Sequence, residues 1–434
     1  MTIKMRWLIL SLFICAVAPA AEPSSEADQY WPQWRGPLAT GVAPHGNPPI
    51  QWSEDRNVRW KIAIPGQGFA TPIVWADKVY VVSAVETDEE LRGDISGTEN
   101  AKHLFNYEIM ALSRKDGRII WRRTARTEAP HEKRHAEGSW ASASPVTDGE
   151  CVIASFGSRG LFCYDMDGNL QWEKDLGDMR VRKGFGEGSS PVLYGDRLIV
   201  PWDHEDQSFI VALDKRTGNE IWRVNYDDES SWSTPLVIEH DGKTQVVNNA
   251  RDRVRSFDLE SGKILWETGG LKPPVPTPIT SDGVVYVTAG FREYVLQAIS
   301  LTKARGDAKE SNAVLWEYNE DTSYVSTPLI YGNILYFYKS TKNIISSLDK
   351  KTGKPFYVRQ RVEGIQDVYA SPVASQGRIY LTGRKGGFVV IKHGPKFEIL
   401  AQNRLNDRFD ASPAIAGNEM YLRGHKYLYC IASE

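Results

Sequence analysis

The sequence predicts an all-β chain: an eight-bladed β-propeller of four-stranded antiparallel blades, closed by an N-terminal strand that completes the last blade. Three observations carry this reading. Ser/Thr-Pro dipeptides recur in one register, at Thr71-Pro72, Ser144-Pro145, Ser190-Pro191, Thr234-Pro235, Thr277-Pro278, Thr327-Pro328, Ser371-Pro372 and Ser412-Pro413. Their hydroxyl residues lie 73, 46, 44, 43, 50, 44 and 41 positions apart, and a period in the forties built of short β runs is the signature of a blade repeated around an axis. After each dipeptide come short β-branched and aromatic runs split by Gly, Asn and Asp, as in Leu329-Ile330, Gly332-Asn333, Leu335 to Tyr338; these read as antiparallel hairpins. Most blades then end on an Asp-x-x-Thr-Gly-like turn and a tryptophan, most clearly in Asp214 to Gly218 followed by Trp222.

Taken from the N-terminus, Lys4 and Arg6, the apolar stretch Trp7 to Val17 and Ala18-Pro19-Ala20 read as a secretory leader. Residues 1–20 are thus expected to be a signal peptide cleaved after Ala20, and the product periplasmic or secreted. Ile14 is bulkier than the small residue that usually precedes a lipidated cysteine such as Cys15. No other segment is long enough to span a bilayer. Residues 21–56, rich in Pro and Gly, read as an extended arm anchored by Tyr30-Trp31-Pro32-Gln33-Trp34.

The propeller itself is placed at 57–434. Asn57 to Ile64, with Trp60, looks like an orphan fourth strand, while the eighth repeat stops after its third. Pairing the two closes the ring and removes the exposed edges of an open sheet. Proline suits the first residue of a strand, which need not donate to the ladder. The tryptophans at 121, 172, 222, 266 and 316 are read as packing one blade on the next. Blade six departs, with Phe356 near the tryptophan position, and blade seven has lost the turn around Gly394-Pro395. Blade one carries a long acidic insertion, Val85 to Asn106, read as a flap. Cys151 and Cys163, on adjoining strands of blade two, are candidates for pairing in an oxidising compartment; with Cys430 they read better as small buried thiols.

Composition fits a large β core, with 41% hydrophobic residues, 14 Trp and 19 Tyr. The formal net charge is −3, and −5 once Lys4 and Arg6 are removed, which argues against nucleic-acid binding. A monomer is expected.

With four strands per blade, A to D, the A–B and C–D turns lie on one face and the B–C and D–A loops on the other. The first set is ordinary turn sequence such as Asp148-Gly149 and Gly332-Asn333. The second set is rich in side chains that bind things. Its B–C loops supply Arg159, Arg251, Arg292 and Arg384, with Trp202-Asp203-His204 breaking the pattern in blade three. Its D–A loops supply Trp140, Trp232 and Tyr369, with Glu187 and Asp410 nearby. Two readings stay open for the cations: solvated charges beside their own carboxylates, or a field that focuses an anionic ligand or acidic partner into a funnel. Trp140 and Trp232 are the candidates for a stacking floor.

His131-Glu132-Lys133-Arg134-His135 matches the H-E-x-x-H string of zinc peptidases. That chemistry needs a helix and a third ligand; nothing identifies the third ligand, so Arg134 and His135 are read as funnel-mouth residues and no metal site is assigned. Gly184 to Gly188 lacks the helix that a dinucleotide-binding loop must open.

The repeated Asp-x-x-Thr-Gly-x-x-x-Trp pattern resembles the pyrroloquinoline quinone (PQQ) repeat propellers, which include quinoprotein alcohol dehydrogenases and BamB-like envelope scaffolds. The resemblance covers residues 57–434 and bears on the fold rather than on function. Ala154 to Gly160 is similar to a dehydrogenase stretch in which a glutamate helps hold calcium, but here Ser155 stands at that position, and the chain has no adjacent cysteine pair. A hydroxyl is a poor substitute for a carboxylate on a hard cation. The expectation is therefore a non-catalytic binding or scaffold protein of a bacterial envelope, with no cofactor and a protein, peptide or glycan partner. The alternatives are a dehydrogenase using PQQ with calcium, in which Glu187, Asp203 or Asp410 serves the metal or the base, and a BamB-like outer-membrane assembly factor.

Overall fold

Every first strand begins one residue after the proline of its dipeptide, from Ile73–Trp75 in blade one to Ala414–Ala416 in blade eight. The computed structural model describes residues 26–90, 102–269, 271–272, 275–291 and 293–433. The leader at 1–20, most of the tip of the blade-one insertion and Arg292 lie outside the described residues. Within them, eight antiparallel sheets are arranged in chain order. The N-terminal strand Val58–Ala63 pairs with Tyr427–Ala432, placing Trp60 opposite Cys430, and so completes the last blade. Blade four has a fifth strand that the repeat does not announce: Gly306–Asp307, from the C–D connection of blade five, runs parallel to Ile264–Gly269. The blade-one insertion lengthens a hairpin, continuing its strands as Lys78–Glu90 and His103–Ser113.

Two rings of contacts join the blades. The inner one explains the register of the dipeptides. The backbone N–H of each hydroxyl residue donates to the hydroxyl of the next blade: Thr71 to Ser144 (3.0 Å), Ser144 to Ser190 (2.9 Å), Ser190 to Thr234 (3.0 Å). The series resumes from Thr277 to Thr327 (3.0 Å), Thr327 to Ser371 (2.9 Å) and Ser371 to Ser412 (2.9 Å). All eight hydroxyl residues are buried, so each link satisfies an amide that water does not reach.

The outer ring is made by the tryptophans. Trp60, Trp121, Trp172, Trp222 and Trp316 donate their indole N–H to a carbonyl in the following blade's C–D turn, at Arg114, Met166, Lys215, Leu259 and Lys350. The glycine of that turn lies flat on the indole. At Gly218, with φ +68°, a β-carbon would meet Trp172 at 2.8 Å. Asp214 closes the turn by accepting from the N–H of Arg216 (3.0 Å) and of Thr217 (2.9 Å). Blade six corrects the sequence reading. Tyr357, opposite Ser347, takes the tryptophan register, while Phe356 points out and is 41% exposed. Cys151, Cys163 and Cys430 are buried free thiols.

The arm lies across the A–B/C–D face and closes the axis. Trp31 exchanges backbone hydrogen bonds with Val74 in blade one, and Pro32 accepts from Thr147 in blade two. Trp34 then donates its indole N–H to Thr277 in blade five (3.0 Å). Arg35, buried, reaches the carbonyls of Pro372 (2.7 Å) and Pro328 (3.3 Å) in blades seven and six. Among the described residues it has no carboxylate partner, and burial pushes its guanidinium down to about 9. Gly41 (φ +82°) leaves the space that this side chain fills.

Replacing Ser371 by Ala removes the acceptor of the Thr327 amide while leaving the strand pairing intact. Loss of one buried partner costs about 1–3 kcal/mol, read as a lower urea midpoint with an unchanged slope; an unshifted midpoint refutes a stabilising role for the inner ring.

Candidate functional site

On the opposite face the B–C and D–A loops surround a funnel. Its outer part is an open cavity of about 620 Å³, and its deeper part an axial chamber of about 250 Å³. Glu137, Phe185, Trp232, Val275, Val325 and Tyr369 line both, so the two are continuous. Trp34 lines the chamber from the arm side, together with the hydroxyls of the inner ring.

The segment carrying the H-E-x-x-H string is not a helix. It is a strap that leaves blade one and crosses the funnel before entering blade two. His131 sits 2.6 Å from the Met179 carbonyl, and Glu132 accepts from the Val181 N–H (3.2 Å). Burial pushes the Glu132 carboxyl up to about 7. Arg134 lies over Trp140, 4.5 Å from its ring centre, and donates to Gln67 (3.1 Å). His135 is exposed and packs edge-on against Phe185. Glu137 reaches blade seven, where it accepts from the Tyr369 hydroxyl (2.7 Å) and pairs with Arg384 (2.5 Å). Arg384 also stacks over Tyr369 and pairs with Asp410, which in turn holds His425 (2.7 Å). The structure therefore joins Tyr369, Arg384 and Asp410, from three separate loops, through a residue that sequence reasoning missed.

Between blades two and three lies a tighter, enclosed cleft lined by His131, Trp140, Ser155, Glu187, Asp203 and Trp232, among others. Its carboxylates are already engaged. Glu187 accepts from the N–H of Ser158 (2.9 Å) and from its hydroxyl, and burial raises its carboxyl. Asp203 accepts from the Tyr226 hydroxyl (2.5 Å) and is pushed by burial up to about 6. Trp202 is buried and stacks on Phe209, away from the funnel mouth, and His204 is buried, its ring tied to the Arg180 N–H and the Gln207 carbonyl. Trp232 donates its N–H to the Gly186 carbonyl (2.7 Å) and faces both cavities. Among the described residues no group of three or more His, Cys, Asp or Glu side chains is gathered to hold a metal.

Most B–C loop cations are paired. Arg159 is buried against Glu128 (2.6 Å) and Asp178 (3.2 Å), Arg253 meets Glu267 (2.8 Å), and Lys342 meets Asp321 (2.5 Å). Among the described candidate arginines Arg251 alone lines the outer cavity, where Arg182, Lys183 and Lys272 join it from D–A loops. Those three were legible only as charges in loops; no spacing in the chain says they converge.

The molecule is thus an eight-bladed propeller of tryptophan-docked repeats, one end of its axis covered by its own arm. A family model described as outer membrane protein assembly factor BamB matches residues 46–200 and 206–433, and the chain belongs to that family. It is 22% identical over 302 residues to tetrathionate hydrolase of Acidithiobacillus ferrooxidans, covering 63% of this chain and 53% of that protein. Over 159 residues it is 23% identical to the assembly factor BamB of Kangiella koreensis, covering 36% of this chain and 38% of that one. The chain thus spans about half or less of the length of these relatives. The crystal structure of BamB from Moraxella catarrhalis superposes with a TM-score of 0.59 at 14% identity, over 86% of this chain and 98% of that one; at that identity the likeness is one of fold.

Burial alone would raise the Glu137 carboxyl, but the Tyr369 hydroxyl and the Arg384 guanidinium outweigh it and hold the group below its ordinary range. Stabilisation from this contact is therefore present above the unfolded value, about 4.3, and is lost as the pH falls through the lower folded value. Oxidative footprinting of Tyr369, half-buried beneath Glu137, should stay constant from pH 8 to about pH 5, rise below about pH 4, and be raised several-fold at neutral pH by Glu137→Gln. Equal labelling in that variant and the parent at neutral pH excludes the strap contact.

Proposed function

We propose that this protein is a non-catalytic binding and scaffold module of the bacterial cell envelope, exported to the periplasm, that holds a segment of a partner protein in the funnel of its B–C/D–A face. The observation that carries this reading is the form of the funnel. It is wide and aromatic at the mouth, where Phe185 and Phe291 are 41% and 48% exposed, and Trp34 covers its far end. Exposed aromatics around a concave site are characteristic of recognition surfaces. Family membership and the relatives named assembly factor BamB support the envelope setting, and no helix among the described residues is long and apolar enough to cross a membrane.

The quinoprotein alternative asks for a carboxylate free to take a hard cation. Ser155 stands where that carboxylate is expected, and Glu187, Asp203 and Asp410 are engaged by Ser158, Tyr226 and Arg384. This donor set does not fit PQQ with calcium, which supports the non-catalytic reading. Relationship to a tetrathionate hydrolase supports a second reading, hydrolysis of a sulfur oxyanion in the same funnel.

With p-benzoylphenylalanine placed at Tyr324, irradiation in envelope preparations should give a discrete protein adduct, and at Thr352, on the opposite face, none. Absence of any adduct from Tyr324, together with turnover of tetrathionate by the purified protein, would replace the scaffold by the hydrolase.

A further inference from the structure

The outer cavity is chemically divided. One arc of its wall, from the D–A loop entering blade three to the one entering blade five, carries Arg182, Lys183, Arg251 and Lys272. The next arc, from blade five to blade seven, carries Phe291, Tyr324 and Tyr369, with Phe291 stacked on Tyr324 at 4.8 Å and 26°. The cationic arc is under-neutralised. Arg182 (2.8 Å) and Arg251 share the single carboxylate of Glu229, and Lys272 faces Asp252 (2.7 Å). Lys183 is exposed and pairs with no carboxylate among the described residues. Four cations thus answer to Glu229 and Asp252; on the aromatic side of the cavity stand Glu293 and Glu137, the latter already held by Tyr369 and Arg384.

Lys183 is also held in an unfavourable backbone conformation, at φ +54° and ψ +18°. A non-glycine residue there is strained and persists only where its surroundings impose it. The Lys133 stem packs against Gly184, at φ +58°, leaving no room for a β-carbon. The turn that results brings Arg182, Lys183 and Phe185 to the same cavity within four residues.

We infer that the funnel mouth binds a small organic anion, with its carboxylate or sulfonate set between Lys183 and Arg251 and its apolar body against Phe291 and Tyr324. The inference rests on the reading of the funnel as the binding face and adds a ligand class to it. A cavity of about 620 Å³ has the size of small-molecule sites. Charge-assisted contacts orient such a ligand, while the aromatic arc supplies the apolar contact area. Uncharged analogues forfeit the first term and hydrophilic anions the second.

The probe is 8-anilinonaphthalene-1-sulfonate, titrated by fluorescence into the purified protein and compared with the uncharged N-phenyl-1-naphthylamine. Saturable binding of the sulfonate is expected, about tenfold tighter than its uncharged analogue and weakened by salt. Lys183→Asn keeps a residue tolerant of the left-handed region and removes the charge; it should raise the sulfonate Kd about five-fold and leave the uncharged probe unchanged. Tyr324→Ala should weaken both. Equal affinity for the two probes, or an unaltered sulfonate Kd in Lys183→Asn, overturns the inference. The two readings separate by competition at a second photo-crosslinker, p-benzoylphenylalanine at Glu293, which lines the same cavity outside the contacts assigned to the anion. An adduct that excess sulfonate suppresses supports both, and one that it leaves untouched refutes the anion site while the scaffold stands. Sulfonate binding of the expected pattern without any protein adduct keeps the anion site and removes the scaffold.

Discussion

The hydrogen bond from one blade's Ser/Thr-Pro amide to the next blade's hydroxyl, made at six of the eight seams, sets the geometry on which everything else rests. A four-stranded sheet on its own has two edges and two apolar faces to cover; the ring covers the faces by stacking blade on blade. What stacking alone leaves undetermined is the height at which neighbouring blades meet. The amide-to-hydroxyl links fix that height near the axis, and the tryptophans fix it near the rim. Each link is worth only about 1 kcal/mol net, but a blade inside either run, one to four or five to eight, does not slip without breaking links on both sides. Proline follows the hydroxyl residue because its fixed φ holds the chain at the turn into the first strand.

The same ring shows where it was adapted. Between blades four and five the Thr277 hydroxyl accepts the indole N–H of Trp34 from the arm. At the seam between blades eight and one the Thr71 hydroxyl has no partner among the described residues, and closure there depends on Val58–Ala63 pairing with Tyr427–Ala432. The arm, bonded to blades one, two, five, six and seven, therefore braces the ring in addition to covering its axis. On the other face the strap does something comparable through Glu137, tying blade seven to the entrance of blade two. Both devices use segments outside the repeat, which is why the repeat is free to stay nearly uniform.

The fold was legible in the sequence because the repeat is local. A hydroxyl, a proline, a turn and a tryptophan occupy fixed places in each period, and each has one physical task. Blade six departs for a local reason as well: four residues after Gly353 comes Tyr357, which takes the tryptophan register, and the more apolar Phe356 beside it faces out. The site was legible only in part. Sorting loops by face put Arg251, Trp232 and Tyr369 on the funnel side, and all three line the outer cavity. For Arg159 and Arg384 the loops alone left open whether a carboxylate answers the charge; Glu128 and Glu137, distant in sequence, do. Glu137 and Lys183 carried no signal, since a glutamate between an alanine and a glycine and a lysine in a glycine-rich loop are ordinary. Their importance comes from partners 247 residues away in the one case and from a φ of +54° in the other. Neither is written in the period.

Trp34 at the inner end of the chamber has a consequence for traffic. A tube open at both ends lets a guest push solvent ahead of it and out. A sac has one opening, so whatever fills it is displaced past the newcomer through the same neck, between Tyr369, Phe185 and Trp232. Entry and emptying then share one gate.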